Sequence, residues 1–260
     1  MENKDASQPV KYFVRFSETS DYENIVKFYD EHKHHNVRGR DQDLMKQLAE
    51  NGSVVIMEDV NGKIVGTTIA YPLISTDASG NEHQKWSEVG STRIVLNGFP
   101  GTFDVLAGMS VLRAFLVEPP EDRFIAKIGH PLVQKMAEKL GWREFVPAQE
   151  AIDLAAKTKR MDDDIQVPPD SGSNPKWYQA GLEGLPVMAR FMIGVMDNPI
   201  LSNKKTGAQI EIDFSKTRFL KMFEPEIRDL AARDLGSIEE PAQNRSVAYA
   251  RNRWMQKFFK

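Results

Sequence analysis

The segment 112–140 constrains this chain more than any other, because it holds two elements joined by one short turn. An apolar run ends at Pro119 and Pro120, which cannot continue a strand ladder. A charged segment with one glycine follows. Apolar residues then recur at helical spacing after Pro131, a residue suited to a first helical turn. These features predict a buried strand that leads through a turn into the N-terminus of a helix.

Such a helix start is an expected anion site. Its first backbone N–H groups have no partner within the helix, and the helix dipole adds positive potential. Arg123 and Lys127 place two cations in front of it. The segment therefore predicts a site for a phosphate-bearing ligand.

The run Leu112-x-x-Phe115-x-Val117-x-Pro119 resembles the fourth strand of GNAT-superfamily acyltransferases. In that family an Arg/Gln-x-x-Gly-x-Gly/Ala loop follows and cradles the pyrophosphate of acyl-coenzyme A. Here Arg123 begins the corresponding loop, which is degenerate: Ala126 replaces the first glycine, Ile128 stands at the second, and a glycine follows only at 129. The resemblance implies acetyl-coenzyme A as the acyl donor. The cofactor-binding residues that it implies are Phe115, Leu116, Val117, Arg123, Ala126, Lys127, Ile128, Gly129, His130 and Asn174.

A second stretch carries the same resemblance. Ile165-x-Val167 is similar to the family's fifth strand, and Asn174, Tyr178 and Gly181 are similar to the Asn, Tyr and Tyr-x-x-Gly-Phe pattern of its last helix. Leu182 stands where Phe is usual. On this basis a short helix is expected to present Tyr178, and a strand is expected at 185–193.

The N-terminal third is predicted from local patterns. Alternation at 12–16 indicates a strand, and Ser20 or Asp21 can cap a following helix. The remaining predictions are a second helix at 41–50 and a hairpin of 53–58 with 63–71, joined through Asn61-Gly62. Strand, two helices and a hairpin is the order in which GNAT domains begin. The resemblance thus implies an α/β (α+β) fold, a mixed, mainly antiparallel sheet flanked by helices.

The predicted organisation is a disordered lead-in at 1–11, a GNAT-like domain at 12–195 and a C-terminal extension at 196–260. Within the domain, 72–102 is predicted as an insertion that forms a substrate-side hairpin or lid around a strand, and 141–160 as an added helix. The extension is expected to hold a strand at 209–214 and a helix at 219–232. Its last residues form a basic stretch with apolar residues on one helical face. That tail can meet nucleic acid, a membrane surface, a protein partner or a second copy, or it can pack back onto the domain.

Composition excludes several classes. The chain has no cysteine, so disulfides and thiolate chemistry are excluded, and its formal charge of −3 argues against bulk nucleic-acid binding. No apolar run reaches the ~18–20 residues of a membrane span. The polar N-terminus lacks the apolar core of a signal peptide. The expected location is the cytoplasm.

Two clusters of side chains are candidate metal sites. His32, His34 and His35 lie near one helix end, and the triplet 162–164 is all aspartate. The alternatives are a solvated helix end and a solvated acidic loop, which these patterns favour.

Acyl transfer needs an anchored pyrophosphate, a polarised carbonyl, a neutral nucleophile and a proton for the thiolate. The family geometry implies Tyr178 as the general acid, with a core residue as the alternative. For the general base, the nearest carboxylates by sequence are Glu88, Asp104 and Glu118. Glu88 is the candidate among them, with a surface charge as the alternative. The predicted function is transfer of an acyl group, expected to be acetyl, from acetyl-coenzyme A to an amine. The alternatives are a degenerate adaptor without catalysis and an acyltransferase that uses an acyl-carrier protein.

Overall fold

The computed structural model describes residues 8–34, 41–99, 101–158, 174–181 and 184–233. The strands are β1 Val10–Phe16, β2 Val54–Glu58, β3 Ile64–Thr76, β4 Glu82–Ile94, β5 Arg123–Ile128, β6 Arg143–Glu144, β7 Lys176–Ala180, β8 Ile200–Ser202 and β9 Gln209–Asp213. The helices are α1 Tyr22–Glu31, α2 Gln42–Glu50, α3 Gly101–Val117, α4 Pro131–Lys139, α5 Gln149–Lys157, α6 Leu185–Asp197, α7 Phe219–Met222 and α8 Glu224–Ala232, and a 3-10 turn, Thr19–Asp21, precedes α1.

The nine described strands form one sheet in the order β6-β7-β5-β4-β3-β2-β1-β9-β8. The pairs β4/β5 and β1/β9 are parallel. The other six neighbouring pairs are antiparallel. The predicted fold class, a mixed, mainly antiparallel sheet flanked by helices, is confirmed.

Helices cover both faces of this sheet. On β2, Val55 and Met57 belong to the large core cluster that contains α3 and α6, whereas Val54 and Ile56 pack with α1 and α2. Successive side chains of a strand point to opposite faces, so α3 and α1 lie on opposite sides of the sheet. A third cluster lies under α5, where Leu73, Trp86 and Ile125 meet Ala151 and Ala155.

The prediction of a strand at 112–117 is wrong, because these residues form the last turns of α3. The apolar sequence begins well upstream, and α3 has 17 residues with 12 of them buried. A helix buried on all sides shows no apolar stripe, so its apolar run reads like that of a buried strand. The loop predicted to start at Arg123 is strand β5. The helix predicted after Pro131 is confirmed as α4, with that proline in its first turn.

Two further element predictions are corrected. The helix expected to carry Tyr178 is strand β7, and the strand expected at 185–193 is helix α6. Of the two forms predicted for residues 72–102, a hairpin or a lid, the structure has a hairpin: β3 and β4 have 13 residues each and pair along most of their length. The long hairpin is therefore central to the sheet.

The predictions from local patterns agree with the structure. β1, α1, α2 and the β2–β3 hairpin occur where expected, and Gly62 has the positive φ of 79° that its turn requires. The strand at 209–214 is β9, and the helix at 219–232 is divided into α7 and α8. Predictions for His35, the acidic triplet, the strand at 165–167, Leu182 and the basic tail lie outside the described residues.

Candidate functional site

The parallel strands β4 and β5 diverge halfway along their length. They pair at Trp86 with Arg123, Ser87 with Phe124, and Glu88 with Ile125. Beyond these positions their described residues do not pair with each other, and both strands line a cavity of about 550 Å³. We call this space the β4–β5 cavity. Its size is within the usual range for small-molecule sites.

A bulge in β4 lies just beyond the point of divergence. Ile69 of β3 pairs with Gly90 and Thr67 pairs with Arg93, so Ser91 and Thr92 together lie opposite Thr68. Such a bulge bends the strand and ends its regular pairing. It therefore helps to turn β4 away from β5.

Ser91 has a φ of 50°, and it is the only residue other than glycine with a positive φ in the described parts of the chain. A side chain makes this left-handed conformation unfavourable. Two tyrosine hydroxyl groups hold it in place: Tyr71 Oη donates to Ser91 Oγ and Tyr29 Oη donates to the Ser91 carbonyl oxygen, each at 2.7 Å.

Two helices begin at the rim of the cavity, α3 after β4 and α4 after β5. The loop before α3 is fixed by Thr102, whose N–H and hydroxyl both donate to the Phe99 carbonyl oxygen, at 3.0 and 2.7 Å. In the same loop Gly98 has a φ of 84°, and an added Cβ would overlap the side chain of Asn203. At α4, the His130 side chain accepts from the Leu132 N–H at 3.2 Å. Both helix starts thus lie at the rim of one cavity, and a helix start favours an anion.

The charged side chains that line the cavity, Arg93 and Lys127, are both basic. His34 and His130 line it as well, and no Asp, Glu or Tyr is among the described lining residues. Arg93 Nε donates to the His32 carbonyl oxygen at 3.0 Å. Burial lowers the pKa of the Arg93 guanidinium, although an arginine stays charged at neutral pH. The potential of the cavity therefore favours a negatively charged ligand.

The remaining walls of the cavity are largely apolar. Phe103 and Ala107 of α3 contribute to one side, and Met136, Leu140 and Trp142 to the other. A site with an apolar interior and a basic rim suits a ligand with a long uncharged part and an anionic group.

The predicted cofactor-binding residues are only partly brought together. Five consecutive residues line the cavity: Ala126, Lys127, Ile128, Gly129 and His130. They are the end of β5 and the start of α4 rather than a loop after the fourth strand. The Asn174 N–H donates to the Gly129 carbonyl oxygen at 3.3 Å, next to the rim.

The other predicted cofactor-binding residues lie elsewhere. Phe115 and Leu116 are core residues near the end of α3, and Val117 is its last residue, 40% exposed. None of these three lines the cavity. Arg123 lies at the paired end of β5, where it donates to Asp122 at 2.9 Å and contacts Gln179. A role for it at a cavity phosphate is not compatible with this position.

Glu88, the predicted base, lies where β4 and β5 part. It is 3% exposed and is the last residue of β4 that pairs with β5. Its partner across β3 is Tyr71, which packs in the cluster under α1 and α2. Opposite residues in a ladder share a face, so Glu88 is on the α1 side and its neighbour Val89 lines the cavity on the α3 side.

Tyr178, the predicted acid, is not among the residues that line the cavity. Its ring is 1% exposed in the core beneath α3, and its hydroxyl donates to Glu138 at 3.1 Å. Burial, and then the Glu138 carboxylate, raise the pKa of Tyr178 to about 12. This environment is that of a packed core tyrosine with a satisfied hydroxyl.

Several cavity residues were missed by the sequence analysis. The loop that follows the fourth strand of the structure contains Asn97 and Gly98, and Gly101 begins α3. By composition alone, Asn97-Gly98-Phe99-Pro100-Gly101 indicates only a turn. At the other wall, Gly141 and Trp142 follow α4, and Trp142 lines the cavity.

The described histidines give no sign of a metal site. The His32 ring packs on Phe28, with ring centroids 4.9 Å apart. In the part of the chain that the structure describes, no group of three metal-ligating side chains comes together. Nor does a described helix have the length and apolar character to cross a membrane.

No family model matches the sequence, and a search of curated proteins found no match. Among solved structures, the chain is similar to acetyltransferases of the GNAT superfamily, the family named by the sequence resemblance. One is a GNAT superfamily phosphinothricin acetyltransferase from Sinorhizobium meliloti, in complex with AcCoA, with a TM-score of 0.44, 16% identity and coverage of 64% of this chain and 86% of that chain. Another is an acetyltransferase of the GNAT family from Streptococcus pneumoniae, with a TM-score of 0.44, 10% identity and coverage of 65% and 98%. A third is a spermidine N-acetyltransferase from Vibrio cholerae, with a TM-score of 0.42, 11% identity and coverage of 65% and 92%.

Proposed function

We propose that the β4–β5 cavity binds acyl-coenzyme A and that the chain transfers the acyl group, expected to be acetyl, to an amine. The observation that carries this proposal is the divergence of two parallel strands directly in front of the start of α3. A pantetheine arm is long and uncharged and fits between the strands. The pyrophosphate is dianionic and fits the helix start at the rim of the cavity.

The reaction needs few further groups. Beyond the bulge, an N–H of β4 that points into the cavity can donate to the thioester carbonyl oxygen and stabilise the oxyanion. The amine nitrogen attacks the carbonyl carbon, the C–S bond breaks, and the proton from nitrogen passes to Glu88 and then to solvent. A thiol is a far stronger acid than an alcohol or an amine, so the thiolate is a good leaving group and can leave without a dedicated acid beside it. Tyr178 is not required.

The anchoring step can be tested without knowing the acceptor. Asn97 is exposed at the rim, in the loop before α3, and Asn97→Asp adds one negative charge at constant size. The charge should not weaken the helix, because carboxylates near a helix N-terminus are stabilising. It should weaken binding of coenzyme A about 10-fold in calorimetry, because like charges then meet at the phosphate position.

The matched control is Asn61→Asp in the β2–β3 turn, which makes the same change of net charge away from the cavity. Coenzyme A affinity should be unchanged in this variant. Equal affinities of both variants would remove the α3 start from the phosphate site. Absence of binding to the unaltered protein would overturn the proposed function.

One observation favours a second candidate, binding without chemistry. No carboxylate or tyrosine is among the described residues that line the cavity, so every group for proton transfer has to act from its edge. A protein that binds coenzyme A tightly but transfers no acetyl group to any of a panel of amines would support this second function.

A further inference from the structure

The bulge in β4 decides which side chains share a face. Glu88 pairs with Tyr71 and Gly90 pairs with Ile69, which places both on the α1 side of the sheet. Arg93 pairs with Thr67, which lies on that side as well. Positions 88 and 93 are an odd number apart, so in a regular strand they would point to opposite faces. The extra residue at the bulge allows both to face α1, where Arg93 reaches the His32 carbonyl oxygen.

A connected set of hydroxyl groups surrounds this bulge. Tyr71 and Tyr29 donate to the side chain and the carbonyl oxygen of Ser91, and the Thr67 hydroxyl donates to Tyr29 Oη at 2.7 Å. On the other face, the hydroxyl oxygens of Thr68 and Thr92 are 2.6 Å apart. The two tyrosines come from different elements, α1 and β3. The network therefore fixes the one strained serine from two directions.

We propose that Tyr71 and Tyr29 are positioning residues that hold Ser91 in its left-handed conformation and so aim the backbone of β4 into the cavity. Neither tyrosine lines the cavity, so both act through Ser91. The expected effect on catalysis rests on the proposed function. The role of the two tyrosines in holding the conformation of Ser91 does not depend on it.

The test is a double-mutant cycle. Tyr71→Phe removes only the hydroxyl from a side chain that is 0% exposed, so ring packing is kept. Coenzyme A affinity should stay within about 2-fold, because the anchor at the α3 start is separate. The kcat should fall about 10-fold or more, because small displacements of reacting groups are costly.

The second arm replaces the strained residue. Glycine adopts a positive φ without strain, so Ser91→Gly should make the bulge independent of the tyrosines. Tyr71→Phe in the Ser91→Gly background should then change kcat less than 2-fold. An undiminished effect in that background would overturn a role through Ser91. Tyr29→Phe provides a second single variant if Tyr71→Phe does not fold, and Tyr12→Phe on β1 is the control for loss of a hydroxyl group elsewhere.

Amide hydrogen exchange separates this inference from the proposed function. In the ligand-free protein, Tyr71→Phe should speed exchange at residues 89–94 at least several-fold, whereas Tyr12→Phe should not. If the unaltered protein fails to bind coenzyme A, the proposed function fails and the exchange result still decides the positioning role. Unchanged exchange together with unchanged kcat would overturn it.

Discussion

Glu88 is buried at the point where β4 and β5 part, and this position makes it the first residue to test in the proposed chemistry. Glu88→Gln keeps the size of the side chain but removes the proton acceptor. We expect kcat to fall about 10²–10⁴-fold, the usual contribution of a positioned base, with coenzyme A affinity unchanged. The measurement is steady-state acetyl transfer alongside calorimetry. Glu50→Gln, exposed on α2, is the control, and full activity of the Glu88 variant would exclude it as the base.

Asp104 provides a prediction about pH. It lies in the first turn of α3, its Oδ1 has no hydrogen-bond partner among the described residues, and burial raises its pKa to about 6 while Lys139 opposes the change. The folded state therefore binds the proton more tightly than the unfolded state, in which an aspartate has a pKa of about 3.9. Stability is lost as the pH rises from about 4 through about 6, and the loss persists above that window.

Asp104→Asn should remove this loss. A difference of one pKa unit corresponds to about 1.4 kcal/mol, so the variant should gain about 1–3 kcal/mol in free energy of unfolding near pH 7.5 and nothing near pH 4. Urea unfolding across this range is the measurement. A gain that is independent of pH would show that the carboxyl does not titrate as described.

Individual site residues could be predicted where residues suited to binding an anion lie just before a helix start that the sequence itself reveals. Lys127, Gly129 and His130 line the cavity because β4 and β5 are parallel, so the strand–helix junctions that follow these two strands lie at the same edge of the sheet. The position of Arg123 was predicted wrongly, because a cation that precedes a helix gives the same local sequence pattern whether it begins a strand or a loop. The role of Ser91 has no local signal at all, since its φ of 50° depends on tyrosines from α1 and β3.

At the scale of elements, amphipathic helices and tight turns were predictable, and buried helices were not. α2 and α4 each show a polar face, and the β2–β3 turn carries Asn61-Gly62. By contrast, α3 and α6 are apolar on nearly every side because they pack against each other and the sheet. Near Gly108, the side chain of Met192 comes so close that a Cβ would lie 3.0 Å from it. Tertiary packing of this kind removes the periodicity that identifies a helix.

The wrong prediction of a helix in place of β7 also arises from tertiary contacts that a local sequence pattern does not show. The strand that carries Tyr178 is short, mixes polar and apolar residues, and pairs with β5. Pairing between strands that are far apart in the chain cannot be read from a local sequence pattern. Two successive elements were therefore assigned wrongly, a helix in place of β7 and a strand in place of α6. The fold class was unaffected, because exchanging a strand and a helix here still leaves a mixed sheet flanked by helices.

For the whole molecule, the C-terminal strands are expected to be indispensable. β9 pairs with β1, α8 packs on α6, and Lys216 Nζ lies 2.5 Å from the buried Glu58 carboxylate on β2. A chain that ends at Asn198 loses all of these contacts and also the buried core residues Ile210, Ile212, Phe219, Leu220, Ile227 and Leu230. We expect it to be insoluble or to melt about 10 °C or more below the full chain.

The control for this truncation is a chain that ends at Glu240, which keeps every described residue. Its melting temperature should stay within a few degrees of that of the full chain. Thermal unfolding followed by circular dichroism measures both. A stable, soluble chain ending at Asn198 would show that the last two strands are accessory.

The pairing of β1 with β9 also has a consequence for how the protein is made. Lys11 and Asp213, joined across these strands at 3.1 Å, are 202 positions apart in the chain. At about 5–20 residues per second, a ribosome needs roughly 10–40 s to produce the second strand after the first. Throughout that interval one edge of β1 has no partner and can pair with any other nascent strand. Since this edge of β1 can be covered only after β9 has been synthesised, the pairing of β1 with β9 forms after the strands between them are already available.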